Sequence, residues 1–118
     1  MKLSDLTWLE ITHVFADLAG ANVKLGYSPD FSYVSVETVW KPEENPSMVM
    51  ASGLGCGGET ADDACKAYLM RVFSNCESFP GRCGLKIPRL SFSSKEELEL
   101  GLAAAGMDVQ FMLGHRYG

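Results

Sequence analysis

The sequence predicts an α+β fold: one small domain over residues 1–118, with helices packed on one face of a mainly antiparallel sheet. Three observations predict it. An amphipathic helical stripe opens the chain, a β-branched and aromatic run spans residues 31–40, and a second, capped helical pattern follows from Thr60. The order reads α-β-β-β-α-(β)-α-β. With 118 residues, 47% of them hydrophobic and 21% charged, the chain has the composition of a globular domain that buries its own core without metal or disulfide staples.

In the first helix, Trp8, Ile11, Phe15 and Leu18 recur at steps of three, four and three, which stacks them along one stripe. Ser4 or Asp5 is placed to cap its start, and Gly20 to stop it. Residues 23–27 and the turn signal Ser28-Pro29-Asp30 lead into the run from Phe31 to Trp40, which places Ser32, Val34, Val36, Thr38 and Trp40 on one face of a strand. Lys41-Pro42-Glu43-Glu44-Asn45-Pro46 cannot continue a ladder and reads as a loop, and residues 47–54 resume a short strand. Thr60 with Asp63 then caps a helix to about Asn75 whose buried face is Ala61, Ala64, Cys65, Tyr68, Leu69, Val72 and Cys76. Beyond it, residues 85–92 read as an edge strand interrupted at Pro88. Ser94 with Glu97 starts another helix that Gly106 ends, and residues 107–113 (MDVQFML) alternate enough for a last strand.

Chemical signatures are sparse, and no cofactor is expected. Gly53-x-Gly55-x-x-Gly58 matches a dinucleotide fingerprint, but it follows a meander strand rather than a parallel β-α-β unit. Asp62 and Asp63 also stand where a pyrophosphate would sit. A strand-to-helix connection is the plainer reading, with a small ligand- or phosphate-binding domain as the alternative. His13 and His115 are the two histidines, and neither neighbours a serine or cysteine in a catalytic pattern. The carboxylate pairs Glu43-Glu44, Asp62-Asp63 and Glu96-Glu97 fit a solvated loop and helix first turns better than acid–base catalysis. Cys56, Cys65, Cys76 and Cys83 lack C-x-x-C spacing and read as buried or bystander thiols. A Cys76 to Cys83 bridge and a four-cysteine metal site are the alternatives.

Charge says more. The net charge of −5 divides into −7 over residues 1–63, +5 over residues 64–95 and −3 over residues 96–118. The acidic balance counts against direct nucleic-acid binding and against a membrane surface, since both call for a positive field. No apolar run is long enough for a membrane span, so the expected location is cytoplasmic. An acidic face carrying Asp30, Glu37, Glu43, Glu44, Glu59, Asp62 and Asp63 suits a basic partner surface, reached by charge steering and weakened by salt. Tyr33, Met48 and Met50 are candidate apolar anchors.

Residues 33–73, a strand pair, a small-residue turn and then Thr60-Ala61-Asp62-Asp63-Ala64-Cys65-Lys66-Ala67-Tyr68-Leu69, are similar to small phage proteins built as α/β sandwiches, in which a strand pair leads into a T-x-x-x-A-C-x-A-x-L helix. The likeness covers about a third of the chain and stops after Asn75. The α-β-β-β-α order also resembles a double-stranded-RNA-binding domain. That family grips phosphate with lysines where this chain has Asp62 and Asp63. The phage resemblance implies a non-enzymatic protein encoded by a phage or other mobile element. It would inhibit host machinery, CRISPR or another defence, by contact with a host protein or nucleoprotein complex. A homo-oligomeric subunit or homodimer built through residues 107–113 is a further expectation.

Overall fold

The computed structural model describes residues 1–18, 20–40, 54–75 and 90–117. Helix α1 (Trp8–Leu18) feeds through Gly20, whose φ of 74° suits glycine alone, directly into β1 (Ala21–Ser28). A one-turn 3-10 segment, Pro29–Phe31, reverses the chain; Pro29 tolerates the first position because its missing N–H has no helical partner there. Ser32 closes that turn in the left-handed region at φ 46°, so it belongs to the turn rather than to the strand face expected for it. Strand β2 (Tyr33–Trp40) then pairs antiparallel with β1, from Ser28 opposite Tyr33 to Ala21 opposite Trp40.

Strand β3 (Leu54–Gly58) pairs with the other edge of β2, Gly58 opposite Val34 and Leu54 opposite Thr38. The glycine-rich stretch expected to be a connection is therefore largely the strand itself. The reason is steric. An added Cβ at Gly57 would lie within 1.7 Å of the Tyr33 ring atoms, and one at Gly58 would lie 2.8 Å from the Ala64 amide nitrogen. Glycine lets the tyrosine cross the outer sheet face and lets the next helix approach the inner one. The loop expected over residues 41–46 and the strand expected over 47–54 lie outside the described residues up to Leu54.

Helices α1 and α2 (Ala61–Asn75) both cover the inner face of this three-stranded sheet, as the α+β reading requires. The alternation in β2 holds where it counts: Val36 and Thr38 are buried under α2. There Thr38 Oγ1 and Tyr68 Oη share a hydrogen bond of 2.6 Å, satisfying a buried hydroxyl pair. Ile11, Phe15 and Leu18 of α1 meet Ala64, Cys65, Tyr68, Leu69, Val72 and Phe73 of α2 in the core. Phe73 is fully buried and was not on the expected face of its helix. It makes edge contacts with Phe15 at 5.2 Å and with Phe92 at 5.7 Å, and Phe92 stacks on Trp8 at 6.0 Å.

Two further helices, α3 (Lys95–Ala104) and α4 (Val109–Tyr117), form an accessory layer against α1 and a short 3-10 turn, Leu3–Asp5. The last strand expected over residues 107–113 is thus corrected to helix. Asp108 caps it by accepting from the Phe111 N–H at 3.0 Å, and Val109, Met112 and Leu113 are buried at helical spacing. Met107, Val109, Phe111 and Leu113 alternate in sequence, but Phe111 points to solvent. A dimer through a strand at this position has no strand to use. Likewise, residues 90–92 of the expected edge strand are irregular. The Leu90 N–H donates to the Phe73 carbonyl at 2.6 Å and its own carbonyl accepts from Ser74 Oγ, which satisfies the last turn of α2. Residues 85–89 lie outside the described residues. Among the described residues no helix is long and apolar enough to cross a membrane.

Candidate functional site

The sheet geometry gathers acidic residues at one end. Gly58, the last residue of β3, stands opposite Val34, so Glu59 follows at the end of the sheet where β2 begins, the end that also carries the turn with Asp30. Asp63 joins them: its Cβ would lie 2.8 Å from a Cβ on Gly58. Asp30, Glu59 and Asp63 are all exposed; Tyr33, 42% exposed, lies across Gly57 on the outer face of the sheet, whereas Asp63 lies over Gly58 on the inner, helix-covered face. Neither the turn from Ser28 to Tyr33 nor the stretch from Gly58 to Ala64 contains a lysine or arginine. Thr60 Oγ1 accepts from the Asp63 N–H at 3.1 Å, the cap expected from sequence, so the Asp63 carboxylate sits on the positive end of α2 without capping it.

Two other expected contacts have different surroundings. Asp62 turns inward, half-buried, and its Oδ1 accepts from the Leu9 N–H of α1 at 3.1 Å. It satisfies an amide at the start of a helix 53 residues away, supplementing the reciprocal cap that Thr7 and Glu10 make there. Glu37 is half-buried on the outer face of the sheet, directly opposite Lys24 of β1, several residues along the strand from Tyr33. Glu43, Glu44, Met48 and Met50 lie outside the described residues.

Sequence reasoning missed Leu25 and Tyr27. Both belong to the inner face, opposite Val36 and Val34, yet they are 48% and 70% exposed. Lengths explain this. An eleven-residue α1 spans about 16 Å and an eight-residue β1 about 26 Å, so the strand runs out from under the helix. With a helix capped at Ser4 or Asp5 and a strand over residues 23–27, the sequence makes the helix the longer of the two, so the overhang follows only from the observed bounds.

The remaining candidate chemistry is structural where it is described. Cys65 is fully buried between α1 and α2, and burial pushes its thiol above the ordinary value, away from a reactive thiolate. Cys56 is half-buried on the inner face of β3, and both thiols are free. Cys76 and Cys83 lie outside the described residues, as does any bridge between them. No group of three His, Cys, Asp or Glu side chains is placed to hold a metal among the described residues. In the glycine stretch, the amides of β3 that face β2 enter the ladder, so they are not free to cradle a phosphate as a loop would. Lys66 sits 5.6 Å above the Trp8 ring, a cation–π contact across the α1–α2 seam.

Comparison with family models, curated proteins and solved structures finds no match to this chain.

Proposed function

We propose that this protein works by binding, and that the acidic end of its sheet is the working surface. Asp30, Glu59 and Asp63, with Tyr33 at the same end of the sheet, dock against a basic surface on a protein or nucleoprotein complex. The observation that carries this reading is that two separate connections, the turn with Asp30 and the strand-to-helix step with Glu59 and Asp63, bring exposed acids to the same end of the sheet, where Tyr33 is also 42% exposed. An aromatic anchor within like charges supplies apolar contact at its centre and charge steering at its rim. Asp62 and Glu37 have structural neighbours instead, the Leu9 N–H and Lys24. The finer form of the proposal is an inhibitor encoded by a phage or mobile element and directed at host defence machinery such as CRISPR. It rests on the likeness of residues 33–73 to small phage proteins and on the acidic, compact chain.

The test is affinity capture from host lysate at low and at moderate salt, with the wild type beside a variant carrying Asp30→Lys, Glu59→Lys and Asp63→Lys. A partner held by the wild type, weakened by salt and lost by the variant is the expected result. A partner retained by a folded triple variant overturns the assignment. Asp62 is left unchanged because its carboxylate supports α1.

A further inference from the structure

We infer that β1 is a dimerisation edge, and that its occupant is β1 of a second copy of this chain, paired antiparallel about a twofold axis at Leu25. The sheet order is β1-β2-β3, so one edge of β1 has no strand beside it among the described residues. Folded proteins blunt such edges with bulges, prolines, inward-pointing charges or lysines, and of these β1 has one lysine, the outward Lys24. β1 is eight residues long, without proline, and pairs with β2 residue for residue with no bulge. Its inner row is Ala21, Val23, Leu25 and Tyr27, uncharged throughout. Among the described residues the edge is therefore open to another strand.

With a second copy of β1 as the partner, symmetry and sequence fix the register. A twofold axis normal to the sheet keeps inner residues opposite inner residues, so it must pass through a residue rather than between two. Centred on Lys24, it sets two like charges directly opposite each other, which is destabilising. Centred on Val23 or Gly26, the overlap shortens to five residues, because Gly20 or Pro29 bounds it. Centred on Leu25, residues 22–28 pair over their full length. Leu25 then meets Leu25 of the second copy, Tyr27 meets its Val23, Lys24 meets its Gly26 and Asn22 meets its Ser28.

This register also accounts for the overhang. The half of β1 left uncovered by α1, with Leu25 and Tyr27 exposed at 48% and 70%, is laid beside the half of the second strand that α1 covers. Each copy thus supplies the apolar flank the other lacks, in one continuous six-stranded sheet with all α1 and α2 helices on the same side. Glu59 and Asp63 follow β3, two strands from the seam, whereas Asp30 stands two residues beyond the paired segment.

Sedimentation velocity across a concentration series tests the pairing. The expected result is a monomer–dimer equilibrium, with Leu25→Glu raising the dimer dissociation constant about tenfold or more while circular dichroism shows the fold unchanged. A register-specific measurement stands beside it. Under mild oxidation Leu25→Cys should form a disulfide-linked dimer above the wild-type cysteine background, whereas Tyr27→Cys should link efficiently only when mixed with Val23→Cys. A monomer at all concentrations overturns the proposal. So does a dimer indifferent to Leu25→Glu, or one in which Tyr27→Cys links to itself as readily as Leu25→Cys does.

Discussion

Asp62 shows how a residue's type can be legible while its task is not. As an acid in the first turn of α2 it is expected from the helix dipole alone. The structure gives it a second task, accepting the Leu9 N–H at 3.1 Å, which ties the starts of α1 and α2 together. Asp62→Ala should cost about 1 kcal/mol, the usual value of a capping acceptor. The urea midpoint should fall with the slope unchanged, and Asp62→Asn, which keeps an acceptor oxygen, should lose less. Gly57 makes the complementary point. Its composition suggests a flexible connection, but its absent side chain is space for the Tyr33 ring, a requirement set by the facing strand.

Among the elements, those with local signals at both ends were readable. Thr60 caps α2 and Ser94 caps α3, the latter by accepting from the Glu97 N–H at 3.2 Å, both as the sequence predicts. The start of α1 was placed three residues early because Thr7 with Glu10 makes an equally good capping box. α4 was misread because four apolar residues at alternate positions satisfy a strand pattern. The decision fell to Asp108 and to the partners that bury Val109, Met112 and Leu113.

These caps also carry a pH dependence. Hydrogen bonds from the Thr7 backbone to Glu10, and from the Ser93 backbone to Glu97, hold both carboxyls below their ordinary value of 4.5. A carboxyl whose folded-state value is lowered contributes stability above that ordinary value and loses it as pH falls through the lowered one. Helicity at the starts of α1 and α3 should therefore fray on acidification below about pH 4.5. In a pH series of urea midpoints, Glu10→Gln and Glu97→Gln should each flatten the acid limb; an unchanged limb would contradict the assignment.

At the scale of the molecule, two layers cooperate. The sheet with α1 and α2 makes the principal core, and α3 and α4 close over the N-terminal turn. Leu3 and Leu6 are buried there, the Leu3 N–H donates to Glu99 at 3.0 Å and Lys95 Nζ donates to the Leu6 carbonyl. Leu3→Ala should cost about 2–5 kcal/mol, as truncation of a fully buried leucine does. If the layer is integral to the fold, the loss will appear as one cooperative unfolding transition. A separate early transition confined to α3 would show that the layer unfolds by itself.

The sequence by itself determined the α+β class, the inward Val36 and Thr38 of β2, the burial of Ile11, Phe15 and Leu18 in α1 and of Ala64, Cys65, Tyr68, Leu69 and Val72 in α2, and the caps of α2 and α3, because these depend on period and on residues within one turn of each other. It also determined that the first half of the chain is acidic. Only the tertiary structure decided that residues 54–58 are a strand, that residues 109–117 are a helix, and that Asp62 supports α1 while Asp63 stays exposed. Each of those outcomes depends on which distant surface a residue meets. Local preference there is nearly balanced, and burial against a partner tens of residues away settles it.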